Sequence, residues 1–191
     1  MFNICVYLNY FFFLEMTLEI ITGPMFSGKT TELIRRVASL KKDSGLRLLV
    51  INHDFDTRCH EKQLRTHDGI VYPALKTSEL MLVDIRSYDV IAIDEAQFFL
   101  NLETFVRMAI QKYHKWVIVA GLNGDYRQRP FGELHKLFSM ANKIDLRSAC
   151  CYRCSGYASF TKRITGSTTT VVVGGADKYV AACRNCLLNE L

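Results

Sequence analysis

Residues 23–30 read Gly23-Pro24-Met25-Phe26-Ser27-Gly28-Lys29-Thr30, a complete G-x-x-x-x-G-K-[ST] phosphate-binding loop. Its two glycines let the backbone curl so that successive N–H groups and a helix N-terminus face a polyphosphate. Lys29 then reaches the β- and γ-phosphates, and the Thr30 hydroxyl can ligate Mg²⁺. Asp94 and Glu95 follow four apolar residues, with Asp94 placed 65 positions after Lys29. An aspartate there organises the Mg²⁺ of such loops. Neighbouring strand residues point to opposite sides, so Asp94 can serve the metal while Glu95 turns toward a second substrate. A helix-capping role for Glu95 is the alternative. The third group is Cys151-x-x-Cys154 and Cys183-x-x-Cys186, with 28 residues between the pairs. Four thiolates from two tight turns suit tetrahedral Zn²⁺ with no open position. A redox pair is the competing reading, and Cys150 leaves the register open by one residue.

The elements that must position these groups follow from the apolar pattern. Thr17–Thr22 reads as a strand before the loop, and Thr31–Leu40 as a helix after it, with Leu33, Val37 and Leu40 at helical spacing. Arg47–Ile51 is a second strand, entered through the Ser44-Gly45 turn. The polar stretch from Asn52 to Asp68 reads as a mobile excursion. Val90–Ile93 is a third strand, Leu100–Lys112 a helix and Trp116–Leu122 a fourth strand. This alternation predicts a P-loop (RecA-like) α/β fold, a parallel sheet with helices on both faces. Gly23, Asn52, Asp94 and Leu122 then fall at carboxyl ends of strands, where such sheets bind ligands. From about Ala149 cysteine, glycine and threonine take over, and Thr168–Val173 is the remaining β-like run. That part is too short for its own core and needs a staple. The expected division is a leader over 1–15, an ATP-binding domain over 16–148 and a zinc-stapled lasso over 149–191.

Composition narrows the function classes. The chain has 191 residues, 49% of them apolar, and a net charge of +5 spread along its length. That suits anionic substrates and lacks the basic block of a nucleic-acid tail. Paired cysteines beside a phosphate loop indicate metal in a reducing, cytoplasmic setting rather than disulfides. Residues 1–15 are aromatic and apolar, and the first basic residue is Lys29. They match neither a secretory signal nor a membrane span, so Met16 is the expected working start.

With these motifs in hand, the chain resembles the zinc-containing (type II) thymidine kinases. The likeness runs in collinear order from about Leu18 to Leu187. It also takes in Asp94-Glu95-Ala96-Gln97-Phe98-Phe99, Asp56-Thr57-Arg58, Thr66-His67-Asp68, Pro130-Phe131-Gly132, Phe160-Thr161-Lys162-Arg163 and Gly174-Gly175-Ala176-Asp177-Lys178-Tyr179. The resemblance implies transfer of the γ-phosphate of ATP to the 5′-hydroxyl of thymidine. Glu95 would be the base, Lys29 would handle phosphate, and Arg58 and Arg163 would be charge stabilisers. Gln97 would join the loop, Thr30 and Asp94 on the ATP–Mg²⁺ side. The nucleoside pocket would draw on Met25, Asp56, Phe98, Leu122, Tyr126, Phe131 and Thr161. Thr170, Val171, Val172, Val173, Gly174 and Tyr179 would cover the base. A structural Zn²⁺, a homotetramer and feedback inhibition by thymidine triphosphate come with the same resemblance. Departures at Thr170 (often Val), Asn123 (commonly Asp) and Tyr126 (frequently Phe) bear on nucleoside selectivity. Two rivals differ in class: a nucleic-acid-dependent ATPase with a zinc ribbon, which needs a basic stripe, and a redox-sensing nucleotide binder.

Overall fold

The computed structural model describes residues 16–56, 63–66, 69–166, 169 and 172–189. In chain order, β1 (Leu18–Gly23) leads into α1 (Lys29–Ser44), which stops at Gly45 in the left-handed region (φ 64°). Then come β2 (Leu48–Asn52), a small antiparallel hairpin of β3 (Gln63–Arg65) and β4 (Val71–Pro73), and β5 (Leu75–Lys76). The main domain continues through β6 (Val90–Ile93), α2 (Leu102–Gln111), β7 (Trp116–Leu122) and β8 (Lys143–Leu146). Six of these strands form one sheet in the order β5-β2-β6-β7-β1-β8, with every pairing parallel.

The two-residue period of the strands decides which helix each side chain meets. Leu18, Ile20, Leu49, Ile51, Ile91, Ile93, Val117 and Val119 pack against Leu102, Phe105, Val106 and Ala109 of α2. Ile21, Val50, Val90, Ala92, Ile118 and Ala120 pack against Leu33, Ile34 and Val37 of α1. Both faces are therefore covered, as the sequence pattern predicts. Gly23, Asn52 and Leu122 end β1, β2 and β7, and Asp94 follows β6 directly. β7 lies between β1 and β6, so one strand's width separates the phosphate loop from Asp94.

Two expectations change. Within the stretch from Asn52 to Asp68, Gln63–Arg65 forms strand β3, which pairs with β4 just beyond it and is anchored by the fully buried Leu64. Strand β8 was not foreseen. It is a sheet-edge strand with mostly exposed residues, Ile144 and Leu146 among them, so it lacks the apolar run that marks a buried strand.

The C-terminal region is small. β9 (Ala149–Cys150) pairs with β10 (Tyr157–Ala158), and β11 (Phe160–Arg163) with β12 (Tyr179–Ala182), both antiparallel, before α3 (Arg184–Leu188). Its buried cluster consists of Ala149, Cys151, Ala158, Ala181 and Cys186. The β-like run expected over Thr168–Val173 lies partly outside the described residues, and Thr169, Val172 and Val173 are not in strands. Among the described residues no helix is long and apolar enough to cross a membrane.

Candidate active site

The phosphate loop is a strained turn held from behind. A Cβ on Gly23 would stand 2.4 Å from the Arg147 carbonyl oxygen, which closes that position to any side chain. Gly28 (φ 72°) and, less usually for a non-glycine, Phe26 (φ 65°) occupy the left-handed region. Arg147 Nε donates to the Ser27 carbonyl (3.0 Å), and Ser27 Oγ donates to the Pro24 carbonyl (2.8 Å). Lys29 Nζ donates to the same Pro24 oxygen at 2.6 Å. Behind the loop, Arg36 bridges Glu19, Glu32 and Asp145 at 2.5–2.8 Å.

Thr30 and Asp94 meet as the sequence predicts. The Thr30 hydroxyl donates to Asp94 Oδ2 at 2.8 Å, and both residues are buried. This hydroxyl and carboxylate are the oxygen donor pair that a P-loop Mg²⁺ takes, so the residues fit that ion. Glu95 breaks the strand direction with φ 52°. It stands before a 3-10 turn over Ala96–Phe98, yet its side chain caps nothing, which disfavours the capping alternative. Instead its Oε2 accepts from Gln97 Nε2 (2.6 Å), and Gln97 Oε1 accepts from the Leu122 N–H (3.0 Å). Gln97 is buried between the ends of β6 and β7, a position that gives it a grip on the carboxylate.

A single cleft of about 490 Å³ gathers most of the expected site. Met25, Phe26, Gly28, Lys29 and Thr30 line it together with Glu95 and Gln97. So do Asp56, Phe98, Leu122, Tyr126, Phe131, Thr161, Val172, Val173, Gly174 and Tyr179. Gly23, Pro24, Ser27 and Asp94 form the frame behind that lining. The Phe98 ring meets Phe55 and Phe131 edge-on at 5.5 Å each, making an aromatic wall. Phe55 was missed in the sequence because it lies in a polar stretch. His53, also missed, packs beneath this wall 4.7 Å from Phe99, and burial pushes its imidazole below the ordinary range. Asp56 accepts from Asn52 Nδ2 at 2.8 Å. Thr161 Oγ1 accepts the Met25 N–H (3.0 Å), a direct bond between the C-terminal hairpin and the phosphate loop.

Arg163 is placed differently from the expectation. It is 8% exposed and absent from the cleft lining among the described residues. Its guanidinium donates to the Thr169 carbonyl and the Tyr179 hydroxyl and lies 3.7 Å over the Tyr126 ring. Those contacts turn it to the covering segment and to Tyr126. Arg58, Thr170 and Val171 lie outside the described residues.

The four cysteines converge, with all Sγ atoms within 4.8 Å of one another. The Cys154–Cys183 sulfur pair is 3.7 Å apart. A tetrahedron with Zn–S bonds of about 2.3 Å has edges of about 3.8 Å, so the cluster fits Zn²⁺. Backbone N–H groups of Arg153, Cys154 and Cys183 hold the Cys151 thiol down to about 6, while the Cys183 sulfur pushes Cys186 up to about 12. Cys150 resolves the register by pointing elsewhere, its thiol donating to the Ser155 carbonyl at 3.5 Å.

Comparison with known proteins gives a consistent picture. A family model described as thymidine kinase matches residues 16–187. The thymidine kinase of fowlpox virus is 41% identical over 181 residues, spanning 91% of this chain and 98% of that protein. Thymidine kinase a of Arabidopsis thaliana is 40% identical over 173 residues, 87% of this chain and 72% of its own length. Thymidine kinase 1 of Dictyostelium discoideum is 39% identical over 177 residues, 88% of this chain and 76% of its own length.

Proposed function

Because the chain belongs to the thymidine kinase family, we propose that it transfers the γ-phosphate of ATP to the 5′-hydroxyl of thymidine. One observation carries this reading: a single cleft is lined by Lys29 and Thr30, by Glu95, and by the aromatic residues Phe98, Tyr126 and Tyr179. Phosphate handling, a base and a flat apolar wall are what joining these two substrates requires.

Thymidine packs its ring against Phe98 and Tyr179, and main-chain groups of Val172, Val173 and Gly174 read the base edge. Gln97 holds the Glu95 carboxylate in place through its amide N–H. Glu95 accepts the 5′-hydroxyl proton as that oxygen bonds to the γ-phosphorus. The bond from the γ-phosphorus to its bridging oxygen breaks, and ADP leaves with that electron pair. Lys29 exchanges its bond to the Pro24 carbonyl for the polyphosphate. Thr30 and Asp94 would hold Mg²⁺, which when bound neutralises charge on the transferring group. Cys151, Cys154, Cys183 and Cys186 would hold a structural Zn²⁺ that ties the two ends of the C-terminal region. Kinship extends the reading to a cytoplasmic homotetramer inhibited by thymidine triphosphate.

The test is a purified protein given MgATP and thymidine, with and without added single-stranded DNA. Thymidine monophosphate and ADP should form in equal amounts whether or not DNA is present. ATP turnover that needs DNA, or no thymidine product, overturns the proposal.

A further inference from the structure

The contacts of Arg163 point to a role in holding the cleft closed. Strands β11 and β12 pair with Arg163 opposite Tyr179. Between these two residues the chain makes an excursion that brings Val172, Val173, Gly174 and Gly175 to the cleft. Its described residues add no further strand to any sheet, so it depends on point attachments at its base. Ile164 N–H donates to the Lys178 carbonyl at 2.9 Å, which closes the base itself.

Arg163 reaches further out. Its guanidinium donates to the Thr169 carbonyl on the outgoing limb and, at 2.7 Å, to the Tyr179 hydroxyl. The Tyr179 hydroxyl donates onward to the Val172 carbonyl at 2.9 Å. One cation thus gathers both limbs of the excursion. The same guanidinium lies 3.7 Å over Tyr126, which comes from the loop after β7 in the main domain. Tyr126 is in turn steadied by Arg127, whose Nε donates to its hydroxyl at 2.8 Å. A planar fork that can donate in two directions while stacking on a ring is a property of arginine that lysine lacks.

We propose that Arg163 is a positioning residue, a latch that holds the covering segment against the main domain and so sets thymidine affinity instead of the phosphoryl-transfer rate. The proposal rests on the reading of this cleft as the nucleoside site.

Arg163→Gln, Arg163→Lys and Tyr179→Phe separate the possibilities, using steady-state kinetics together with amide hydrogen exchange on the ligand-free proteins. Arg163→Gln should raise the thymidine KM roughly 10–100-fold, leave kcat at saturating thymidine within about threefold, and leave the ATP KM unmoved. Arg163→Lys should recover little of this, because charge alone is not the device. Amide exchange at residues 172–175 should speed up, while bound zinc per chain stays the same. Tyr179→Phe keeps the ring but loses the hydroxyl relay, and should move both readouts the same way by a smaller factor. It carries the test should Arg163→Gln not fold. A kcat loss of about 10²-fold or more with the thymidine KM unchanged would make Arg163 a charge stabiliser and overturn the latch. Exchange at 172–175 that no variant alters would also overturn it. If wild-type protein phosphorylates no thymidine yet exchange accelerates in the variants, the latch stands and the functional reading falls.

Discussion

The phosphate loop hangs from β1, whose Leu18, Ile20 and Ile21 are fully buried between two helical layers. The covering hairpin rests on a cluster of five buried residues, Ala149, Cys151, Ala158, Ala181 and Cys186, none larger than cysteine. One wall of the cleft is thus held by a packed core, where each buried aliphatic contributes on the order of 1.5–3 kcal/mol. The other is held at points, among them four sulfurs, the Arg163 guanidinium and the bonds from Met25 N–H to Thr161 and from Asn123 Nδ2 to the Ser159 carbonyl. The division suits the reaction. Groups that act on the transferring phosphoryl need fixed positions, and the packed wall supplies them. A nucleoside must enter and its product must leave, which a pinned wall permits.

The sharpest way to break this comparison is on the packed wall. Glu95→Gln should lower the transfer rate roughly 10²–10⁴-fold, the usual worth of a positioned base, with both substrates still bound. Single-turnover kinetics and calorimetry measure the two halves of that statement, and near-normal turnover would remove Glu95 from the mechanism. Lys29→Ala should lose most activity through weakened binding of the polyphosphate. Retained ATP affinity in that variant would undo the assignment of the loop.

On the pinned wall the expected loss falls on thymidine. Metal analysis should find about one zinc per chain in active protein. Cys183→Ser should then lower zinc retention, thymidine affinity and thermal stability together, with ATP binding kept. Zinc retention should fall by more than the roughly 10–100-fold that losing an outer-shell partner costs. Active protein without metal would sink the staple.

A smaller effect probes the joint between the walls. Thr161→Val keeps the shape but leaves the Met25 N–H without its acceptor, at a cost of about 1–3 kcal/mol in urea unfolding. Thr161→Ser should cost less, and a Val variant as stable as wild type would mean the walls are not joined there.

The smallest expected effect lies behind the phosphate loop. The Arg35 guanidinium, with help from Arg36, holds the Glu32 carboxyl down to about 2 from an ordinary 4.5. A carboxylate with a depressed pKa stabilises the fold fully above its unfolded value, and that contribution drains away as pH falls. Melting curves of wild type and Glu32→Gln should therefore differ most above pH 4.5 and converge toward pH 2. A gap independent of pH would show that the brace is not electrostatic.

Much of the site was legible because its chemistry depends on short spacing. The loop from Gly23 to Thr30 must be contiguous to wrap a polyphosphate, Asp94 must follow an apolar strand, and two cysteines three positions apart can share a metal from one turn. The sheet and its two helical faces were legible for the same reason, since buried parallel strands are continuous apolar runs. β8 escaped because an edge strand need not be apolar, and the hairpin of Phe160–Arg163 with Tyr179–Ala182 because its partners lie far apart in the chain.

What only the tertiary structure decided is which partner each long-range side chain meets. From its sequence Arg163 is a cation near a threonine, equally fit for a phosphate or a carbonyl. Folding brings Tyr126 and Tyr179, 37 positions before and 16 after it, to the same guanidinium. Gln97 likewise reads as a neighbour of the loop chemistry, until the side-by-side β6 and β7 put the Leu122 N–H within its reach and aim its own N–H at Glu95. C-x-x-C spacing selects Cys151, with Cys150 beside it leaving the register open by one residue. The fold separates them: Cys150 ends β9 with its thiol on the Ser155 carbonyl, whereas Cys151, just past the strand, is turned to the other three sulfurs.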